Sequence, residues 1–437
     1  MKLRSLILAT IVLVALVGVL YWSNHRKPEE SSKTSDFSPA ILKLDESSIT
    51  KVEIKHPDAQ PVVLSKSASG AWEITAPKQY RADQANISST LSALSSLNST
   101  RVIEDKASDL KQYGLDVAAT EVDITEKDNK SQKLLLGDTN PAGNAVYTML
   151  SGDSRVYTIA SFNKSTIAKN LNDLRDRRFL PVNADQVSRF DIVRKNQTIE
   201  FGRTKDEWQI LQPKPMRADT TQIGDLVQKL TNARADLNSN DPKESASAFA
   251  SGTPIVTAKI TDPSGSQELQ IKKNKDTYYA KSTALEGEYK LNADIAQSLD
   301  KEVDDFRNKK LFEFGFTDPT KVNIRSGSKT WDLARNQHDW WSNGKKMDVD
   351  TVAPLLSDLR DLSADKFVDA GFSNPTIDLS VTSEDGKRTE KVSIANTGTD
   401  YIAQRENDPT LYHIPSSAIE DLLKTADNLK PAAAPAK

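Results

Sequence analysis

Ser161 and Lys164 stand three residues apart, the spacing at which a lysine amine activates a serine hydroxyl for acyl transfer. Two fixed residues recur by chance in a chain rich in serine and lysine. No SDN or KTG partner follows, so the pair does not define a nucleophile. The four histidines, His25, His56, His338 and His413, are scattered, and none has a partner at i+4 or in an HxH pair, as a metal site on one element would need. The chain has no cysteine, which excludes disulfides, thiolate ligands, a cysteine nucleophile and a lipidated N-terminal cysteine. GxSxG, GxxxxGKS/T and GxGxxG are all absent. Asp83, Asp219 and Asp348 do recur at matching positions, but in separate segments, so they do not form a carboxylate dyad. Each precedes the first apolar position of a helical stripe by four residues, where a carboxylate caps the free amides of a helix N-terminus. No catalytic, cofactor or metal site is expected.

The three aspartates belong to a repeat. WEITAPKQYRAD begins at Trp72 and WQILQPKPMRAD at Trp208, and a third copy runs from Trp340 to Asp348 with three residues deleted. Behind each aspartate the apolar residues fall at offsets of 0, 4, 7 and 10, one stripe of an amphipathic helix: Ile87, Leu91, Leu94 and Leu97; Ile223, Val227, Leu230 and Ala233; Val352, Leu356, Leu359 and Leu362. The pairs Tyr147/Tyr157, Tyr279/Tyr289 and Ile402/Tyr412 keep a common spacing further on, and LRDRRFL (174–180) returns as FRNKKLF (306–312). Trp72 and Trp208 lie 136 positions apart, and Trp208 and Trp340 lie 132 apart. A period this long makes each repeat a domain.

In chain order, residues 6–22 form an uncharged apolar run after Lys2 and Arg4, long enough at about 1.5 Å per residue for a short membrane span. The run ends in Tyr21 and Trp22 with no small-residue exit, so residues 1–22 are read as an uncleaved anchor. The competing reading is a cleaved signal peptide. Residues 23–40 read as a polar tether, with repeat domains at 41–180, 181–311 and 312–428 and a low-complexity, disordered tail at 429–437. In each repeat three short alternating strands precede the capped helix, four more follow it, and a second helix closes the unit. The first helix runs to about residue 100, and the closing helices are placed at 163–176, 294–307 and 416–428. Strands and helices segregate in blocks, giving an α+β class with mostly antiparallel sheets. A net charge of −3 and 27% charged residues supply no overall basic field for nucleic acid.

Candidate contact residues remain. Trp72 and Trp208 read as core anchors, whereas Trp340 and Trp341 are adjacent in a strand, so one must face away from the core. Arg175, Arg177 and Arg178, and Arg307, Lys309 and Lys310, stand where one repeat ends and the next begins. There they complement helix ends, or bind a neighbouring domain or an anionic partner.

The W-x-I-x-x-P…RAD pattern, the apolar helix, Tyr113-Gly114-Leu115-Asp116, the LxxG-type turn at 134–138 and the LRDRRFL closure resemble a bacterial domain-of-unknown-function family, numbered four-three-four-zero. The resemblance covers about 42–428. It implies an N-terminal membrane helix, a tandem α+β exported part, and an accessory role beside ABC transporters of the gliding-motility type. It carries no catalytic residues. Together these give the expectation of a non-enzymatic, membrane-anchored scaffold or binding subunit on the periplasmic side of a bacterial inner membrane, with a transporter permease or an associated envelope protein as partner. A solute- or polymer-binding protein and an envelope hydrolase are the alternatives.

Overall fold

The computed structural model describes residues 39–433 except Ala118, Asn196, Asp206 and residues 315–318. The apolar run at 6–22 and the tether up to residue 38 lie outside the described residues. Two compact units meet in sequence at Asp176 and Arg177; the first holds one sheet and the second holds two.

In the first unit the strands are β1 (Ile49–Lys55), β2 (Val62–Lys66), β3 (Trp72–Ala76), β4 (Tyr80–Arg81), β5 (Arg101–Glu104), β6 (Thr120–Glu126), β7 (Ser131–Thr139), β8 (Ala145–Leu150) and β9 (Val156–Ala160). They form one sheet in the order β4-β3-β2-β1-β6-β7-β8-β9-β5. Helix α1 (Gln84–Ser95) joins β4 to β5, and α2 (Ser161–Ile167) and α3 (Leu171–Leu174) close the unit. The second repeat has β10 (Arg189–Arg194), β11 (Gln197–Thr204), β12 (Glu207–Gln212), β13 (Met216–Arg217), α4 (Thr220–Asn232), α5 (Pro242–Ser251), β14 (Thr253–Asp262), β15 (Gly265–Asn274), β16 (Thr277–Ser282), β17 (Glu288–Leu291) and α6 (Ala293–Leu299). The third has β18 (Lys321–Ser326), β19 (Lys329–Asn336), β20 (Asp339–Ser342), β21 (Lys345–Lys346), α7 (Val349–Asp361), β22 (Lys366–Val368), β23 (Ile377–Ser383), β24 (Arg388–Asn396), β25 (Tyr401–Arg405), β26 (Leu411–Ile414) and α8 (Ser416–Asp427). Its sheet order, β21-β20-β19-β18-β23-β24-β25-β26-β22, copies the first; among the described residues the second repeat's sheet has eight strands, β13-β12-β11-β10-β14-β15-β16-β17. The fold is α+β, with antiparallel pairing in all three sheets.

The strand pattern explains the layering. Along β6 and β23 buried and half-buried residues alternate, so one face of each sheet packs on the helices. The other face of the first sheet carries Lys51, Glu53, Lys55, Asp123 and Lys133 in a solvated ladder of ion pairs. All twelve stripe residues are buried, and each repeat has its own core. Trp72, Trp208 and Trp340 are core residues, at 8%, 4% and 4% exposure. Asp83, Asp219 and Asp348 cap α1, α4 and α7 through hydrogen bonds to the backbone amides of Asn86, Gln222 and Asp350.

Several expectations change. The first helix stops at Ser95 instead of about residue 100, because residues 98–104 turn to pair, Asn98 with Ala40 and β5 with β9. The closing helix of the first repeat breaks at Ala168 and restarts after Asn170, whose side chain forms a capping box with Asp173. That of the second stops at Leu299 and continues only as a 3-10 turn, Val303–Phe306. Helix α5, which sequence periodicity misses, begins with Asp241 as cap and Pro242 in the first turn. The tail is paired as far as Ala432: Lys430 accepts from the Asp348 amide, and the Ala432 amide donates to Lys346.

The strand carrying Trp340 and Trp341 separates a core role from a surface role. Trp340→Ala is expected to lower unfolding free energy by about 3–5 kcal/mol, as for other buried tryptophans. Trp341, 37% exposed, should cost about 1 kcal/mol or less. Urea titration of both variants, followed by circular dichroism, checks the contrast; equal losses would place both rings in the core.

Candidate functional site

The RAD motif of the second repeat divides three tasks among three adjacent residues. Asp219 caps α4, its carboxylate accepting from the Gln222 amide at 3.0 Å. Ala218 forms a β-bridge to Arg307, flanked by hydrogen bonds from the Asp219 amide to the Phe306 carbonyl (2.9 Å) and from the Asn308 amide to the Arg217 carbonyl (3.0 Å). Three residues beyond Arg307 the chain bridges again, now into the third repeat. Lys310 pairs with Ser363, with the Leu311 amide on Leu362 and the Ala364 amide on Lys309. The short connection is therefore clamped by one repeat at its start and by the next at its end.

Arg217 completes the joint. Its guanidinium donates to Glu313 (2.6 Å), to the Lys310 carbonyl (2.8 Å) and to the hydroxyl of the buried Tyr412 (3.1 Å), which in turn donates to Asp408 (2.8 Å). Glu313 also accepts from Asn308 and Arg388, and its amide donates to Glu390, which is buried and accepts from Arg388 and Arg405. Burial pushes the Glu313 carboxyl up, but the charge and hydrogen bonds of Arg217 outweigh it, and the group is held below the ordinary glutamate value of 4.5. Asp408 is held low as well: burial opposes this, and bonds from Thr410 and Tyr412 with the charge of Arg217 prevail. Burial is the first cause that raises the Tyr412 hydroxyl.

Beside this network lies a cleft of about 1010 Å³ between the second and third repeats. Arg307, Lys309 and Lys310, expected from the sequence, all line it, together with Arg217, Arg388 and Arg405, which sequence reasoning missed. Arg307 is only 11% exposed, donates to Asp304 and Thr410, and lies with its guanidinium 3.5 Å from the Phe367 ring centre, so it spans the two repeats. Lys309 donates to the Asp365 carbonyl, whereas Lys310 is exposed. The other basic cluster divides at the unit boundary. In the first unit Arg175 bridges Ala82 and covers the Tyr80 ring at 4.1 Å; in the second, Arg178 bridges Arg234 and the Arg177 carbonyl accepts from Ala235. Trp341, opposite Ala334 and Lys346, stands on the outer face of its sheet, apart from Trp340. Among the described residues no group of three or more histidines or acids is placed to hold a metal. Lys164 donates to the Gly137 carbonyl at 2.6 Å.

One sequence signal does mark Arg217. The motif carries arginine in the two copies that another repeat follows, at Arg81 and Arg217, and lysine, Lys346, in the last. Residues 72–248 and 208–380 each match the family described as Domain of unknown function (DUF4340). The chain belongs to that family. Each match opens on a motif tryptophan and runs past the next one, so a DUF4340 unit takes in a junction as well as a sheet. The first-repeat turn at Gly114, with φ of +62°, packs its carbonyl and that of Tyr113 against Gly137, so the two sequence features of the DUF4340 resemblance meet in space. No curated protein and no solved structure matches this chain.

Because the Glu313 pKa is depressed on folding, its ion pairs stabilise fully above 4.5, and that contribution is lost as pH falls through the lower folded value. The difference in urea midpoint between the native chain and Glu313→Gln should therefore be large at neutral pH and narrow below about pH 4.5. A gap independent of pH would remove the ionic account of this joint.

Proposed function

We propose that this protein is a non-enzymatic binding subunit, anchored by residues 6–22 and working on the extracytoplasmic side of a bacterial inner membrane beside an ABC transporter. The observation that carries the reading is the use to which the recurrent residues are put. The tryptophans fill cores, the aspartates cap helices, and Arg217 joins one repeat to the next. What the chain repeats is architecture, and the product is folded surface suited to contact. The resemblance stated for the family supplies the transporter, and the apolar run supplies the anchor. Tethering such a surface at a membrane raises its effective concentration for a membrane partner.

A second reading, binding of a solute between repeats, is favoured by the cleft beside Arg217. It fits the same non-enzymatic role.

Full-length protein extracted in mild detergent is expected to co-purify with a permease and its ATPase. Trp341→Ala should reduce that recovery severalfold with no change in melting temperature, because a half-exposed aromatic on an outer sheet face suits a contact residue. Recovery of no membrane protein by the full-length chain would overturn the proposal. Undiminished recovery with Trp341→Ala would move the contact elsewhere on the surface.

A further inference from the structure

We propose that the cleft between the second and third repeats is a binding site for a small multivalent oxyanion of the carboxylate or phosphate class. The proposal depends on neither the anchor nor the transporter. The cleft, at about 1010 Å³, is at the upper end of the size of small-molecule sites. Seven cationic side chains line it against four carboxylates, in a chain whose net charge is −3. This is a local reversal of sign.

Three of the four carboxylates are already committed, Asp305 by accepting from the Glu302 amide. Asp219 caps α4, and Glu313 is shared by Arg217, Arg388 and Asn308. Part of the cationic set is not committed to an acid. Lys310 is exposed and forms no ion pair among the described residues, and Lys309 reaches only a carbonyl, that of Asp365. Arg405, with 12% of its side chain exposed, binds Glu390 through Nη2, while its Nε is buried without a hydrogen-bond partner. Guanidinium groups suit carboxylate and phosphate because their parallel N–H bonds match two oxygens at once. Two lysines and five arginines lining one cleft arrange charge for a ligand bearing more than one anionic group.

The test is isothermal titration of the full-length protein in non-ionic detergent, with pyrophosphate and citrate as separate probes. Saturable binding of at least one is expected, and the stronger of the two assigns the ligand to the phosphate or the carboxylate class. Lys310→Glu, at an exposed rim position, should weaken that binding about tenfold without changing the melting temperature, as expected for loss and reversal of a charge-assisted contact. Arg405→Gln should weaken it at least as much; if that variant is destabilised, Lys310→Glu alone decides. Absence of saturable binding by both probes, or equal binding by native protein and Lys310→Glu, would overturn the proposal.

Discussion

A guanidinium removed from water must find anions and acceptors, and at the second junction Arg217 finds them in the third repeat and in the connection that leads to it. Glu313, the Tyr412 hydroxyl and the Lys310 carbonyl lie 93 to 195 residues further along the chain. Taking either charge out of water costs several kcal/mol, and the pair is favourable only while the remaining hydrogen bonds are also made. Separating the repeats would leave Arg217 without its acid and take one cation from Glu313, which would keep Arg388. The backbone adds to this, since the connection is bridged to Ala218 on one side and to Ser363 on the other. Two sheets with separate cores consequently behave as one compact unit.

This arrangement gives the repeated motif a reading that its parts alone do not. Nine positions separate the motif tryptophan from the arginine in the first two copies, so the strand that anchors the core also sets where the joint is made. In the second repeat, the core residue Trp208, the cap Asp219 and the joint residue Arg217 lie on one short path from β12 to α4. In the third copy the motif position is Lys346, paired with Asp339 of the neighbouring strand. Met347, in the place of the motif alanine, bridges Pro431 in the tail.

Local features of the fold were legible because they are written locally. The helical stripes, the capping aspartates and the core tryptophans each depend on spacing within about a dozen residues. Trp341 was constrained to the opposite face from Trp340 by strand alternation alone. The misreadings have local causes too. Strand β5 is short and mostly exposed, with Val102 and Ile103 at 36% and 38%, so it has no buried alternation to betray it. The interruption at Asn170 was encoded by its capping box with Asp173, and α5 by Asp241 and Pro242, but apolar periodicity ran over the one and did not detect the other. The cationic cleft was half legible. Arg307, Lys309 and Lys310 share one segment, whereas Arg388 and Arg405 come from β24 and β25, and no periodicity links residues so far apart.

Arg217 holds the second and third repeats in one arrangement through Glu313. A double-mutant cycle measures this most directly, with Arg217→Met, Glu313→Gln and the double variant compared by urea unfolding at neutral pH. A coupling energy of about 1–3 kcal/mol is predicted, as for residues sharing one partly buried ionic network. A coupling below about 0.5 kcal/mol, the range of solvated surface pairs, would contradict it.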